Sequence, residues 1–115
     1  MAVLYTNNAN TTLASSITNS ATSLTVASGA GALFPNPTSP DFFYCTLDDN
    51  AGNIEIVQVT ARSTDTFTIV RAQDGTTAKA FSAGVRVELR LVRALLDSKF
   101  SDVSGTAVAM SVALG

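Results

Sequence analysis

Few residues of this chain can do chemistry, and their spacing is that of turns. It has no histidine and a single cysteine. That excludes Ser-His-Asp and Cys-His nucleophiles, His-containing zinc sites and thiolate clusters. The acids Asp41, Asp48, Asp49, Glu55, Asp65, Asp74, Glu88, Asp97 and Asp102 all fall in turns or on strand faces. A glycosidase pair would have to flank a sugar groove. With no Trp and only 7% aromatic residues, a sugar-stacking platform is poorly supplied. Gly29-Ala30-Gly31 has neither the third glycine nor the following helix of a dinucleotide loop, and no Walker-type phosphate loop occurs. The string from Asp48 to Glu55 superficially resembles a calcium loop, but its glycine is displaced and Val59 stands where the bidentate Glu belongs. It is read as a hairpin turn. No catalytic, cofactor-binding or metal residue is expected, and the chain is read as a non-enzyme.

Composition points the same way. The 115 residues make room for one small domain. Hydrophobic residues reach an ordinary 46%, but charged residues only 14%, against roughly 25% in a typical soluble domain. Ser, Thr, Asn and Ala replace them. Two readings follow: a dry, Thr-rich β surface on a monomer, or a surface depleted of charge because it meets other proteins. The net charge of −2 and seven scattered basic residues argue against a nucleic-acid partner. Cys45 sits in the apolar run Phe42 to Leu47 and is read as a small buried hydrophobe. No apolar run approaches membrane-spanning length. The N-terminus lacks the basic region and apolar block of a secretory signal, so the expected location is a cytoplasm or a particle assembled there.

The elements that must position these residues are mostly short strands. Val3-Leu4-Tyr5 opens the chain as a loose terminus or as an arm docked on a neighbour. Leu24 and Val26 alternate with Thr25, Gly29-Ala30-Gly31 breaks that strand, and Ala32-Leu33-Phe34 is a short turn that plugs the core. Pro35, Pro37 and Pro40 define a stiff loop. Phe42 to Asp48 is apolar on both faces and so a central strand. Asp49-Asn50-Ala51-Gly52 turns it into Asn53 to Arg62. There the apolar residues shift from Ile54 and Ile56 to Val57 and Val59, which predicts a β-bulge or a strand crossing between sheets. Ser63-Thr64-Asp65 leads into Thr66 to Arg71. Val85, Val87, Leu89 and Leu91 share one face, with Arg86, Glu88 and Arg90 on the other. Arg93 to Phe100 makes about two helical turns with Leu95, Leu96 and Phe100 as one apolar patch, held on the chain's own core. After Ser104-Gly105, the residues Val108, Met110, Val112 and Leu114 alternate with small ones. They form either the last strand of the domain or a strand lent to a neighbouring subunit.

The block from Val70 to Arg90, VRAQDGTTAKAFSAGVRVELR, resembles a small β domain of tail fibres and other tail-associated proteins of tailed bacteriophages. In that family a strand ending in Val-Arg is followed by Gln, an acidic residue, Gly-Thr-Thr-Ala, an aromatic, Ala-Gly and an alternating strand. The resemblance extends over roughly Thr11 to Arg90 through Thr12-Leu13-Ala14, Ser23 to Val26, Gly31 to Pro35, Phe43 to Leu47 and Glu55 to Thr60. Ala72 departs from the family's Gly and Val85 from a common polar residue, so this copy is more apolar. In fibres the module usually precedes a long shaft, and none follows it in this sequence.

The sequence therefore predicts an all-β fold, a small β-sandwich or partly open barrel with a short C-terminal helix and extended termini. Its organisation is an N-terminal arm over 1–10, one β domain over 11–100 and a C-terminal strand or arm over 101–115. The resemblance implies a structural virion protein of a tailed phage, an attachment or assembly module of the tail at a fibre-attachment, neck or baseplate position. It would act by docking to other virion proteins and to copies of itself, without nucleic acid, membrane or cofactor. A capsid decoration or cement protein is the alternative, and a receptor-binding tip a third. The expected interface residues are Val3, Leu4 and Tyr5 in the arm, and Val108, Met110, Val112 and Leu114 near the C-terminus.

Overall fold

A computed structural model describes the backbone of residues 2–102 and the side chains of 2–98. The strands are β1 (Asn10–Thr12), β2 (Ser23–Thr25), β3 (Phe43–Asp48), β4 (Ile54–Ser63), β5 (Thr66–Gln73) and β6 (Arg86–Glu88), followed by the helix α1 (Arg93–Asp102). All six strands join one antiparallel sheet in the order β1-β6-β3-β4-β5-β2. The sheet curls until its two edges touch: Leu13 and Val26 form a bridge, Ala14 N–H donates to the Thr25 carbonyl at 2.8 Å and Ala27 N–H to that of Thr12 at 3.0 Å. The expected all-β class holds, as a curled half-barrel with one short helix.

The concave face carries the core. Phe43, Cys45, Leu47, Val57, Val59, Phe67, Ile69 and Val87 pack there with Leu13, Leu24 and Val26. β3 is central, between β6 and β4, and this explains its apolar composition. Phe34, just after a 3-10 turn at Ala30–Leu33, plugs one end, with its ring 5.2 Å from Phe67 and 6.1 Å from Phe43. Asp65 in the β4–β5 turn holds that plug, accepting from Gly29 N–H at 3.0 Å and Gly31 N–H at 2.9 Å. A Cβ at Gly31 would collide with the Thr64 carbonyl oxygen, so only glycine fits there. Phe81 closes another side through a bridge to Ile17.

Two expectations need correction, and a third is met at a different place. β4 changes phase after Val59, where Ala61 turns out opposite exposed Thr68 and Arg62 comes opposite buried Phe67, and not between Ile56 and Val57. Glu55, Val57 and Val59 all face inward, while Ile54 is exposed and Ile56 half-buried on the other side. The expected bulge is one of two in the pairing with β5: Ile56 to Gln58 oppose Gln73 to Val70, and Val59 to Ala61 oppose Ile69 to Thr68. The first places its extra residue on β5 at Arg71–Ala72, the second on β4. Leu91 does not complete the row of Val85, Val87 and Leu89, because β6 ends at Glu88 and Leu91 turns outward before α1. Nor is Val3-Leu4-Tyr5 a loose arm. Leu4 N–H donates to the Phe42 carbonyl at 2.7 Å and Phe42 N–H to that of Ala2 at 3.1 Å, which makes a short parallel pairing at the start of β3. Val3, Phe42 and Leu95 form a second, smaller core under α1.

Candidate functional site

Glu55 and Arg71 form the most highly connected polar site. Glu55 lies in phase with Val57 and Val59 on β4, and Arg71 in phase with Phe67 and Ile69 on β5, so both reach inward. The Glu55 side chain is fully buried and that of Arg71 is 9% exposed. Arg71 grips the carboxylate with two parallel bonds, Nε to Oε2 at 2.8 Å and Nη2 to Oε1 at 2.7 Å. Ala72 N–H and Lys79 N–H each add a bond of 2.9 Å. The remaining guanidinium donors go to carbonyls: Nη1 to Thr18 at 2.7 Å and Ala21 at 3.2 Å, and Nη2 to Lys79. All five donors are thereby satisfied. Burial alone would push the Glu55 carboxyl up, but the Arg71 bonds and the two backbone N–H groups outweigh it and hold it below the usual range. Neither partner keeps a free lone pair or N–H for a ligand. The pair is a clamp that ties β4, β5, the segment before β2 and the segment before Phe81.

The bulge on β5 makes this clamp possible. Ala72 adopts φ 56°, a left-handed conformation that turns its N–H onto Glu55. Asp74 (φ 51°) and Gly75 (φ 83°) continue the turn. Thr76 then locks it to β4: its Oγ accepts from Ile56 N–H at 2.9 Å and donates to the Gln73 carbonyl at 2.7 Å. The Gln-Asp-Gly-Thr string is therefore a loop lock. Sequence reasoning had grouped Glu55 with the turn and strand-face acids. The available signal was its two-residue spacing from Val57 and Val59, which puts a carboxylate on the core face and demands a cation there.

The acidic hairpin binds itself. Asp48 accepts from Asn50 N–H at 2.8 Å, and Asp49 from Ala51 and Asn53 N–H at 2.8 and 3.1 Å and from the Asn53 amide at 2.7 Å. The Asn50 and Arg90 contacts lower the Asp48 carboxyl, and the Asn53 and Ala51 contacts lower that of Asp49. Arg90 bridges Asp48 at 2.9 Å and Glu88 at 2.8 Å across the convex face, which raises its own pKa. Among the described residues, no three or more His, Cys, Asp or Glu side chains gather as a metal site would need. Cys45 is buried, and burial pushes its thiol far up, away from the reactive thiolate.

Part of the exposed apolar surface lies beside α1, while Leu33, Ile54 and Val70 are exposed outside it. Tyr5, Leu91, Leu95 and Leu96 line a groove of about 270 Å³ with no charged side chain. Of the expected interface residues, Tyr5 is 45% exposed and belongs to this groove, Leu4 packs partly against the main core, and Val3 is buried between Phe42 and Leu95. Val108, Met110, Val112 and Leu114 lie outside the described residues. Leu95 holds the helix on its own core, as expected, whereas Leu96 faces outward; the Phe100 side chain is also outside the described set. Leu91 joined the groove without any sequence signal, since its alternation assigned it to the core.

Among the described residues, fold and site define a small curled β half-barrel with a sealed internal ion pair and an apolar groove beside α1. Compared with known proteins, the chain matches no protein-family model and no curated sequence.

Proposed function

We propose that this chain is a structural component of a tailed-phage virion, an attachment or assembly module of the tail that works by protein–protein docking. The observation that carries the reading is a charge-poor fold that exposes the large apolar side chains Leu33, Ile54 and Val70, apart from the groove beside α1. The ionisable groups best placed for chemistry, Glu55 and Arg71, are taken up by internal bonds. The resemblance of Val70 to Arg90 to a tail-associated β module supplies the biological setting. Docking of many copies in a symmetric array sums weak contacts into firm attachment.

Locating a tagged copy of the chain in intact particles by cryo-EM tests this. Density at the tail, neck or baseplate is expected. Density over the capsid lattice replaces the tail assignment with a decoration or cement role, density at a distal tip supports receptor binding, and absence from particles refutes the virion reading altogether.

A further inference from the structure

The groove beside α1 adjoins an unfinished strand edge. Ala2 and Leu4 direct their backbone groups to Phe42. Consecutive residues of an extended segment present N–H and C=O to opposite sides, so Val3 and Tyr5 direct theirs away from β3. Among the described residues, these groups of Val3 and Tyr5 have no backbone partner, although Val3 is 1% exposed. Backbone groups in such a setting are nearly always paired. The other two sheet edges offer no such place, because β1 and β2 meet each other at Leu13 and Val26.

We propose that the chain's own segment from Val108 to Leu114 lies along the Ala2–Tyr5 edge, with its alternate apolar side chains over the groove of Tyr5, Leu91, Leu95 and Leu96. Three features select this occupant. Residues 103–115 carry no charged side chain, and Val108, Met110, Val112 and Leu114 repeat at the two-residue period of a strand. The groove they would cover is likewise free of charge. Reach is sufficient. The ten residues of α1 span about 15 Å at about 1.5 Å per residue. About five extended residues at about 3.3 Å each retrace that length, which is the tether from Val103 to Ala107, with Ser104-Gly105 to make the turn. Such a short tether gives a local concentration on the order of millimolar, so the chain's own segment outcompetes that of another copy in dilute solution. This occupant goes beyond the virion reading and does not depend on it.

Amide hydrogen exchange on the full chain tests the proposal. The Val3 and Tyr5 amides are expected to be protected, equally so across a hundredfold dilution. In the full-length double variant Met110→Asp, Val112→Asp they are expected to exchange roughly tenfold faster or more, while the β3 amides keep their protection and report an intact fold. Unprotected Val3 and Tyr5 amides, or protection indifferent to the two substitutions, would remove the segment from this edge. Protection lost on dilution would assign the edge to a second copy and overturn the intrachain contact. Should the double variant lose β3 protection as well, Met110→Ser alone carries the same comparison.

Discussion

The guanidinium of Arg71 lies flat against the carboxylate of Glu55, with paired bonds of 2.8 and 2.7 Å in the interior of the half-barrel. Removing one partner leaves the other as a buried, unpaired charge. Glu55→Ala is expected to cost about 3–5 kcal/mol, read as a lower midpoint in urea unfolding. The pair Glu55→Leu, Arg71→Met removes both charges and should cost less than the sum of the single substitutions. Strict additivity would mean that the two side chains do not act as a unit.

The same carboxylates set the response to acid. Glu55, Asp48, Asp49 and Asp65 are all held below their ordinary values in the folded chain. For Asp65 the Gly29 and Gly31 N–H groups are responsible. A carboxyl with a lowered folded pKa contributes stability that is fully present above its unfolded value and is lost as pH falls through the folded one. Stability is therefore expected to be level from pH 7 to about 5 and to decline below about pH 4, where unperturbed carboxyls begin to protonate. In Asp65→Asn the decline should be shallower. A decline that begins above pH 6 would contradict this assignment.

Ala72 holds a left-handed backbone at φ 56° so that its N–H meets Glu55. A side chain in that region costs about 1–2 kcal/mol, which glycine avoids at some entropic loss. Ala72→Gly is expected to raise stability by about 0.5–1 kcal/mol. Thermal denaturation reads the gain, and a loss instead would show that the Ala72 methyl packs favourably.

Gly31 has the opposite requirement. Its missing Cβ lets the Thr64 carbonyl approach the 3-10 turn, and Asp65 then receives the Gly31 N–H. Gly31→Ala should cost about 1–3 kcal/mol by overpacking. It should also loosen the Phe34 plug, measurable as faster exchange of the Phe34 amide, which donates to the Gly31 carbonyl at 3.1 Å.

Much of the architecture follows from short-range pattern. β3, its hairpin turn at Asp49 to Gly52 and the plug at Phe34 sit where alternation, glycines and prolines place them. Those signals are local: a two-residue period, a left-handed turn, a stiff loop. Glu55 was legible in part, since its phase with Val57 puts it on the core face. Its partner was not, because Arg71 lies sixteen residues away and its approach depends on a bulge whose register the sequence does not specify.

The sequence by itself determined the all-β class, the central strand and the poverty of reactive groups, since each depends on residue type and near-neighbour spacing. Tertiary structure alone decided three further features. It sealed Arg71 onto Glu55, docked Val3 against Phe42 and Leu95 instead of leaving it for a partner, and turned Leu91 out beside Tyr5 and Leu96. The physical reason is common to all three. Which face of a short segment is buried depends on where distant strands end and how the sheet curls, and neither quantity is carried by the segment's own residues.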